Sequence, residues 1–224
     1  MRKLIVAIDG PSGAGKGTVA RAIAEQLGYR HIDSGAMYRA VAWKALRDHV
    51  PVDEDAAVAA LAERSQITLE RERVMIDDID VTRAIRTPEI DRAAAAVARL
   101  PAVRLVLVAR QRSLGAGGAI VMEGRDIGSV VFPRADVKIY LDAVAEERAR
   151  RRLMDEERSS SPAGIAEVAS ALTARDELDR TRSVSPLMVA RDAVRVDTTG
   201  KPVEQVVREV MEAVRERLSS ERVV

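Results

Sequence analysis

Cysteine is absent from the 224 residues. That excludes a disulfide framework, a zinc site built on thiolates and a thiol nucleophile. Aromatic residues are nearly missing too, at one Trp, one Phe and three Tyr. A core must therefore come from Ala, Val, Leu and Ile, and stacking platforms for single-stranded nucleic acid are lacking. No apolar run approaches the roughly 20 residues of a membrane span. The N-terminal Met-Arg-Lys leads into an apolar stretch too short for a secretory signal, so the expectation is a cytoplasmic protein. Neither sign of charge dominates: 36 basic residues face 35 acidic ones, which argues against general nucleic-acid binding. Lysine itself is scarce. Five of the basic residues are lysine and 31 are arginine, the planar donor that matches phosphate oxygens. Most of those arginines, Arg150 and Arg151 among them, read as solvated helix faces. His31 and His49 are the only histidines; neither is spaced with carboxylates as a metal site, and both read as structural.

What is present alternates between short apolar runs and helical patterns. Residues 4–8 form a β-branched run ended by Asp9-Gly10, the signature of a buried parallel strand. A helix is predicted over 16–27, closed by Gly28 as a C-cap. A second strand over 29–32 and a helix over 34–48 follow; Met37, Tyr38 and Trp43 read as helix core, with a ligand role left open for Tyr38. Between about 50 and 100 the character changes: a helix over 53–64, strands over 66–69 and 74–79 around a charged turn at 70–73, then a helix started by Thr87-Pro88. That helix stops near Leu100-Pro101, where another begins. Further strands are predicted over 119–122, 137–141 and 194–196, and further helices over 142–158, 165–182 and 202–218. Residues 159–164 read as a loop or hinge. Strands alternating with helices imply an α/β fold with a parallel sheet covered on both faces, and ligands at the carboxyl ends of its strands. No internal repeat is present.

The segment that carries chemistry is Gly10-Pro11-Ser12-Gly13-Ala14-Gly15-Lys16-Gly17-Thr18. It lies between a predicted strand and a predicted helix, the context a phosphate loop requires. Its glycines let backbone N–H groups turn inward on an anion, and the following helix offers its positive end. Lys16 can reach the β- and γ-phosphates. A dinucleotide loop fits worse, because that spacing from Gly13 and Gly15 needs Gly at 18, where Thr stands. The common phosphate loop carries Ser or Thr directly after the lysine to hold Mg²⁺; here Gly17 takes that place. The expectation is thus no direct protein ligand to the metal, with Mg²⁺ held through ATP phosphates and water.

Two further clusters sit at strand carboxyl ends: Asp33-Ser34-Gly35-Ala36-Met37-Tyr38-Arg39, and Gly124-Arg125-Asp126-Ile127-Gly128. Donor and acceptor phosphates repel each other, so both need cations. Lys16, Arg39, Arg125, Arg152, Arg175 and Arg182 are the candidates. Arg148 and Arg152 share one helix face and are candidates for the ATP side. Asp33 and Asp126 could bind Mg²⁺ through water, orient arginines, or accept ribose or base hydrogen bonds. With Asp176 and Asp179 in the later helix, these clusters resemble the bacterial cytidylate kinase family over about residues 4–218. The resemblance implies a P-loop kinase fold with a five-stranded parallel sheet, an inserted monophosphate-binding region near 50–100 and a helical lid near 148–182. The core is then about 1–49, 101–147 and 183–224. It implies that ATP and Mg²⁺ phosphorylate CMP or dCMP. Ser34, Arg39, Arg104, Arg125 and Asp126 match positions that hold the CMP base, ribose or phosphate. Arg175, Asp179 and Arg182 match lid-side positions on sugar and phosphates. Ala95 stands where the family would place a serine against cytosine. The expected partners are small nucleotides, and the expected state is a monomer. A kinase for UMP, AMP or a small metabolite, and a nucleotide-dependent switch, are the rival readings.

Overall fold

The computed structural model describes residues 3–70, 73–154 and 164–220. These divide into two compact units, one of residues 3–32, 115–154 and 164–220, the other of residues 33–114.

The first unit contains β1 (Ile5–Asp9), α1 (Lys16–Leu27), β2 (Arg30–Asp33, whose last residue opens the second unit), β6 (Ile120–Gly124), β7 (Val137–Asp142), α6 (Ala145–Met154), α7 (Ile165–Thr181), β8 (Val194–Asp197) and α8 (Val203–Ser220). The second contains α2 (Ser34–Arg47), α3 (Asp55–Arg64), β3 (Ile67–Glu70), β4 (Arg73–Ile76), β5 (Ile79–Asp80), α4 (Pro88–Val97) and most of α5 (Pro101–Gly115).

In the first unit a five-stranded parallel sheet runs in the order β2-β6-β1-β7-β8. The strand nearest the N-terminus is central: Ile5 lies opposite Ile120 of β6, and Val6 opposite Val137 of β7. Its last four residues are buried, as a strand covered on both faces requires. Val6 and Ile8 join Val19 and Ile23 of α1, Ile139 and Leu141 of β7, and Val210 and Val214 of α8 in one apolar cluster. Gly28 ends α1 in the left-handed conformation at φ 66°, its N–H bonded to the carbonyls of Ala24 and Glu25, as the sequence predicts. β6 is followed by one π-helical turn, Ile127–Val131.

In the second unit, α2 packs against α4, α3 and β4. Thr87 caps α4, its hydroxyl accepting from the Ile90 N–H at 3.3 Å, with Pro88 at the first position. Where one strand is expected over 74–79 the structure has two. β4 and β5 form a hairpin in which Ile76 faces Ile79, and the loop residues Asp77 and Asp78 hold φ of 49° and 62°. Two left-handed residues make the tight turn whose twist suits a hairpin. Aspartate tolerates that conformation, but Asp77-Asp78 is a weaker turn signal than Asn-Gly. The helix expected from 142 begins at Ala145, because β7 runs on to Asp142. Its predicted continuation to Arg158, and residues 159–163 of the expected hinge, lie outside the described residues.

Candidate active site

The phosphate loop leaves β1 through Gly10, at φ 148°. A Cβ there would lie 2.0 Å from the Leu141 carbonyl oxygen, so only glycine lets the loop pass β7. Lys16 is buried, and its Nζ donates to the Pro11 carbonyl at 2.7 Å. Behind the loop stands a buried ion pair between Arg148 of α6 and Asp176 of α7. Arg148 Nη1 donates to the Ser12 carbonyl at 3.0 Å, and the Ser12 N–H lies 3.4 Å from Asp176 Oδ1. The pair thus holds both backbone polar groups of Ser12.

Gly17 has a steric reason of its own. A Cβ there would come 3.1 Å from Glu123 Oε1. Glu123 is buried at the end of β6 and lies 3.1 Å from His31 Nε2. A carboxylate therefore crowds the place where a metal-holding hydroxyl stands in the commoner loop. Sequence reasoning missed Glu123, which reads there only as the polar end of a strand. It also missed Arg151. While Arg150 is exposed beside Glu147, half-buried Arg151 donates to Thr198 Oγ1 at 2.9 Å and to the Thr198 carbonyl at 2.6 Å. Thr198 Oγ1 lies 3.2 Å from the Ala14 carbonyl. Arg151 is thus no solvated face; through Thr198 it braces the loop.

Four of the predicted residues form a chain of alternating charge. Arg125 Nε donates to Asp179 Oδ2 at 3.1 Å. Asp179 Oδ1 lies 3.7 Å from Arg182 Nη1, and Arg182 Nη2 lies 3.5 Å from Asp126 Oδ1. Asp126, Asp179 and Arg182 are buried, and Arg125 is partly so. Arg152 on α6 and Arg175 on α7 are half-buried.

The second unit holds the remaining predicted residues. Asp33 caps α2: Oδ1 accepts from the Ala36 N–H at 3.0 Å, while Oδ2 pairs with Arg39 at 3.0 Å and Arg86 at 3.4 Å. Arg86, on a short 3₁₀ turn, carried no signal in the sequence. Ser34 is buried at the start of α2. Arg104 is buried, donates to the Ala98 carbonyl at 3.3 Å and lies 5.6 Å from the centre of the Tyr38 ring. Ala95 is half-buried on α4.

One more carboxylate emerges that the sequence did not single out. Asp9 is buried and accepts from the N–H groups of Ile127 at 2.8 Å and Gly128 at 2.7 Å. Burial pushes its pKa up to about 6, the two amides pull against that rise, and Asp126 adds to it.

Residues 6–216 match the family model of cytidylate kinase. The chain belongs to the cytidylate kinase family. A cytidylate kinase of Desulfitobacterium hafniense is 47% identical over 213 residues, covering 94% of this chain and 92% of that protein. One of Symbiobacterium thermophilum is 44% identical, covering 94% and 95%. Among solved structures, a gluconokinase of Sinorhizobium meliloti superposes with a TM-score of 0.52 at 15% identity, covering 98% and 96% of the two chains. A shikimate kinase of Bacteroides thetaiotaomicron gives 0.51 at 12% identity, covering 95% and 98%. These two share the P-loop kinase fold seen here. Membership of the cytidylate kinase family carries the use of a small nucleotide substrate. Among the described residues no helix is long and apolar enough to cross a membrane.

Proposed function

We propose that the protein transfers the γ-phosphoryl group of ATP to CMP or dCMP, giving ADP and CDP or dCDP, by direct in-line displacement. The observation that carries this reading is the match to cytidylate kinases along residues 6–216. The alternating chain of Arg125, Asp179, Arg182 and Asp126 supports it.

On the donor side, the loop from Gly10 to Thr18 receives the ATP phosphates on its N–H groups and the N-terminus of α1. Lys16 neutralises charge on the β- and γ-oxygens. Arg148 and Asp176 act on the loop by holding Ser12, and Arg152 supplies a further cation. Among the described residues no cluster of three or more His, Asp or Glu could hold a metal, and Glu123 crowds position 17. The donor set fits Mg²⁺ carried on the ATP phosphates and water, where it would screen the negative charge.

On the acceptor side, Ser34, Arg39, Arg104, Arg125 and Asp126 hold CMP, with Asp33 orienting Arg39. Arg175, Asp179 and Arg182 contact its sugar and the transferring group. Residues about 50–100 act as the monophosphate-binding insert, and about 148–182 as a lid that excludes water. The ion chain has a chemical logic. Each guanidinium is held beside a carboxylate until a phosphate oxygen replaces it, so a buried and a partly buried cation are kept ready without standing unpaired. Catalysis is then positioning and charge neutralisation, with no covalent enzyme intermediate. The protein acts as a cytoplasmic monomer on free nucleotides and takes no nucleic acid.

ADP release from Mg·ATP tests the reading, with CMP, dCMP, UMP, AMP and GMP added singly. The expected result is strong stimulation by CMP and dCMP alone. Stimulation by another monophosphate would overturn the base assignment, and nucleotide-dependent partner binding without acceptor stimulation would favour a switch. Lys16→Ala should lower kcat about 10²-fold or more, as loss of one charge-stabilising donor does; near-normal turnover would sink the mechanism.

A further inference from the structure

The Arg125-Asp126 dipeptide leaves the end of β6 and enters the π-helical turn Ile127–Val131. The first N–H groups of a helical turn have no partner within it. The residue at the cap usually supplies one, and aspartate is among the residue types best suited to do so. Asp126 stands at that cap, at φ −144°, yet makes no side-chain capping bond. Its Oδ1 lies 3.5 Å from Arg182 Nη2 instead. The first two amides of the turn, those of Ile127 and Gly128, are bonded to Asp9 at 2.8 and 2.7 Å; of these, that of Gly128 is one a cap at Asp126 would take. Asp9 caps the turn from another strand.

The same residue grips the other end of the dipeptide. Asp9 lies opposite Gly124 in the β1–β6 ladder. Its backbone thus registers the residue before Arg125, and its side chain holds the residues after Asp126. It also directly precedes Gly10, the first residue of the phosphate loop. Gly128 fits this arrangement closely: a Cβ there would meet Asp9 Oδ2 at 3.3 Å and the Lys138 side chain at 3.2 Å.

We infer that Asp9 is a positioning residue for phosphoryl transfer: by capping the turn in place of Asp126, it keeps the Asp126 carboxylate on Arg182 and fixes Arg125 relative to the phosphate loop. This rests on the proposed function, and it acts through Arg125, Asp126 and Arg182 rather than by touching substrate. Without the Asp9 acceptor, Asp126 is the nearest residue suited to cap its own turn, and in doing so it gives up Arg182, which is left to Asp179 and the Ser185 carbonyl, at 3.7 and 2.5 Å.

The test is a double-mutant cycle of Asp9→Asn and Asp126→Asn on kcat with CMP, with thermal melts and amide exchange at Ile127 and Gly128. Asn keeps one acceptor and turns an N–H₂ toward the other amide. Asp9→Asn should melt cooperatively and expose the two amides to exchange. Its kcat should fall about 30-fold, within what an ångström-scale misplacement costs, while KM for ATP stays within about twofold. In the Asp126→Asn background the further loss should shrink below about threefold. A kcat near wild type despite faster exchange would overturn the proposal, as would losses that simply multiply. Should Asp9→Asn not fold, Asp9→Ser is put through the same cycle; if neither folds, Asp9 is a folding residue and the proposal falls. Lack of CMP stimulation in the wild-type protein would overturn the functional reading and the proposal with it. CMP stimulation beside an unaffected Asp9→Asn would overturn the proposal alone.

Discussion

A buried carboxylate at a strand end has a measurable signature in the pH dependence of stability. Burial raises Asp9 from 3.8 to about 6 in the folded protein, so between these values the folded state holds a proton that the unfolded chain has lost. Stability from this group therefore falls as pH rises through that window and is level outside it. Asp9→Asn removes the titration. The stability of wild type minus that of Asp9→Asn, from urea unfolding at a series of pH values, should drop by about 2 kcal/mol between pH 4 and 6 and stay flat above about 7. A difference that rises with pH would reverse the assignment. Residues of this kind are hard to read from sequence. The loop from Gly10 to Thr18 is legible because its spacing has one physical use. Asp9 and Glu123 look like any polar residue closing an apolar strand, and their partners, Ile127, Gly128 and His31, lie about 90 or more positions away. Arg150 and Arg151 are identical and adjacent, yet one faces solvent and the other Thr198. Only the turn of α6 distinguishes them.

Among elements, the Arg148–Asp176 pair ties α6 to α7 and both to the phosphate loop. Its side chains are 7% and 0% exposed, so neither can turn to water when the other is lost. Asp176→Ala should cost about 3–5 kcal/mol in chemical denaturation, because it leaves an uncompensated buried guanidinium. A loss below 1 kcal/mol would mean that water reaches Arg148. Most elements were legible where a local signal marks both ends: Gly28 closes α1, and Thr87-Pro88 opens α4. Two were not. The β4–β5 hairpin turns on Asp77-Asp78, a weaker turn signal than Asn-Gly, and β5 is only two residues long. The π-helical turn after Asp126 is capped from β1, a contact that no local window contains.

At the scale of the whole molecule, each unit carries apolar clusters of its own. Leu61 is fully buried among residues of α2, α3, α4 and α5, and Leu61→Ala should cost about 2–5 kcal/mol locally. Hydrogen exchange should quicken across 33–114 while amides of β1 and β7 keep their protection. Equal loss in both units would show a single cooperative core. The topology legible from alternating strands and helices was the parallel sheet; its strand order was not, since periodicity says nothing about which strand lies beside which.

That order bears on how the chain is made. β1 sits at the centre of the sheet, and its nearest partner, Ile120 opposite Ile5, is 115 residues downstream. At a ribosomal pace of about 5–20 residues per second, some 6–23 s pass before β6 exists to pair with it. Throughout that interval the nascent chain carries Ile5–Asp9 with both edges open, while residues 33–114 already contain everything their own clusters need. The organising strand of the sheet is thus the first to be synthesised, and it waits for more than half the chain before either edge is covered.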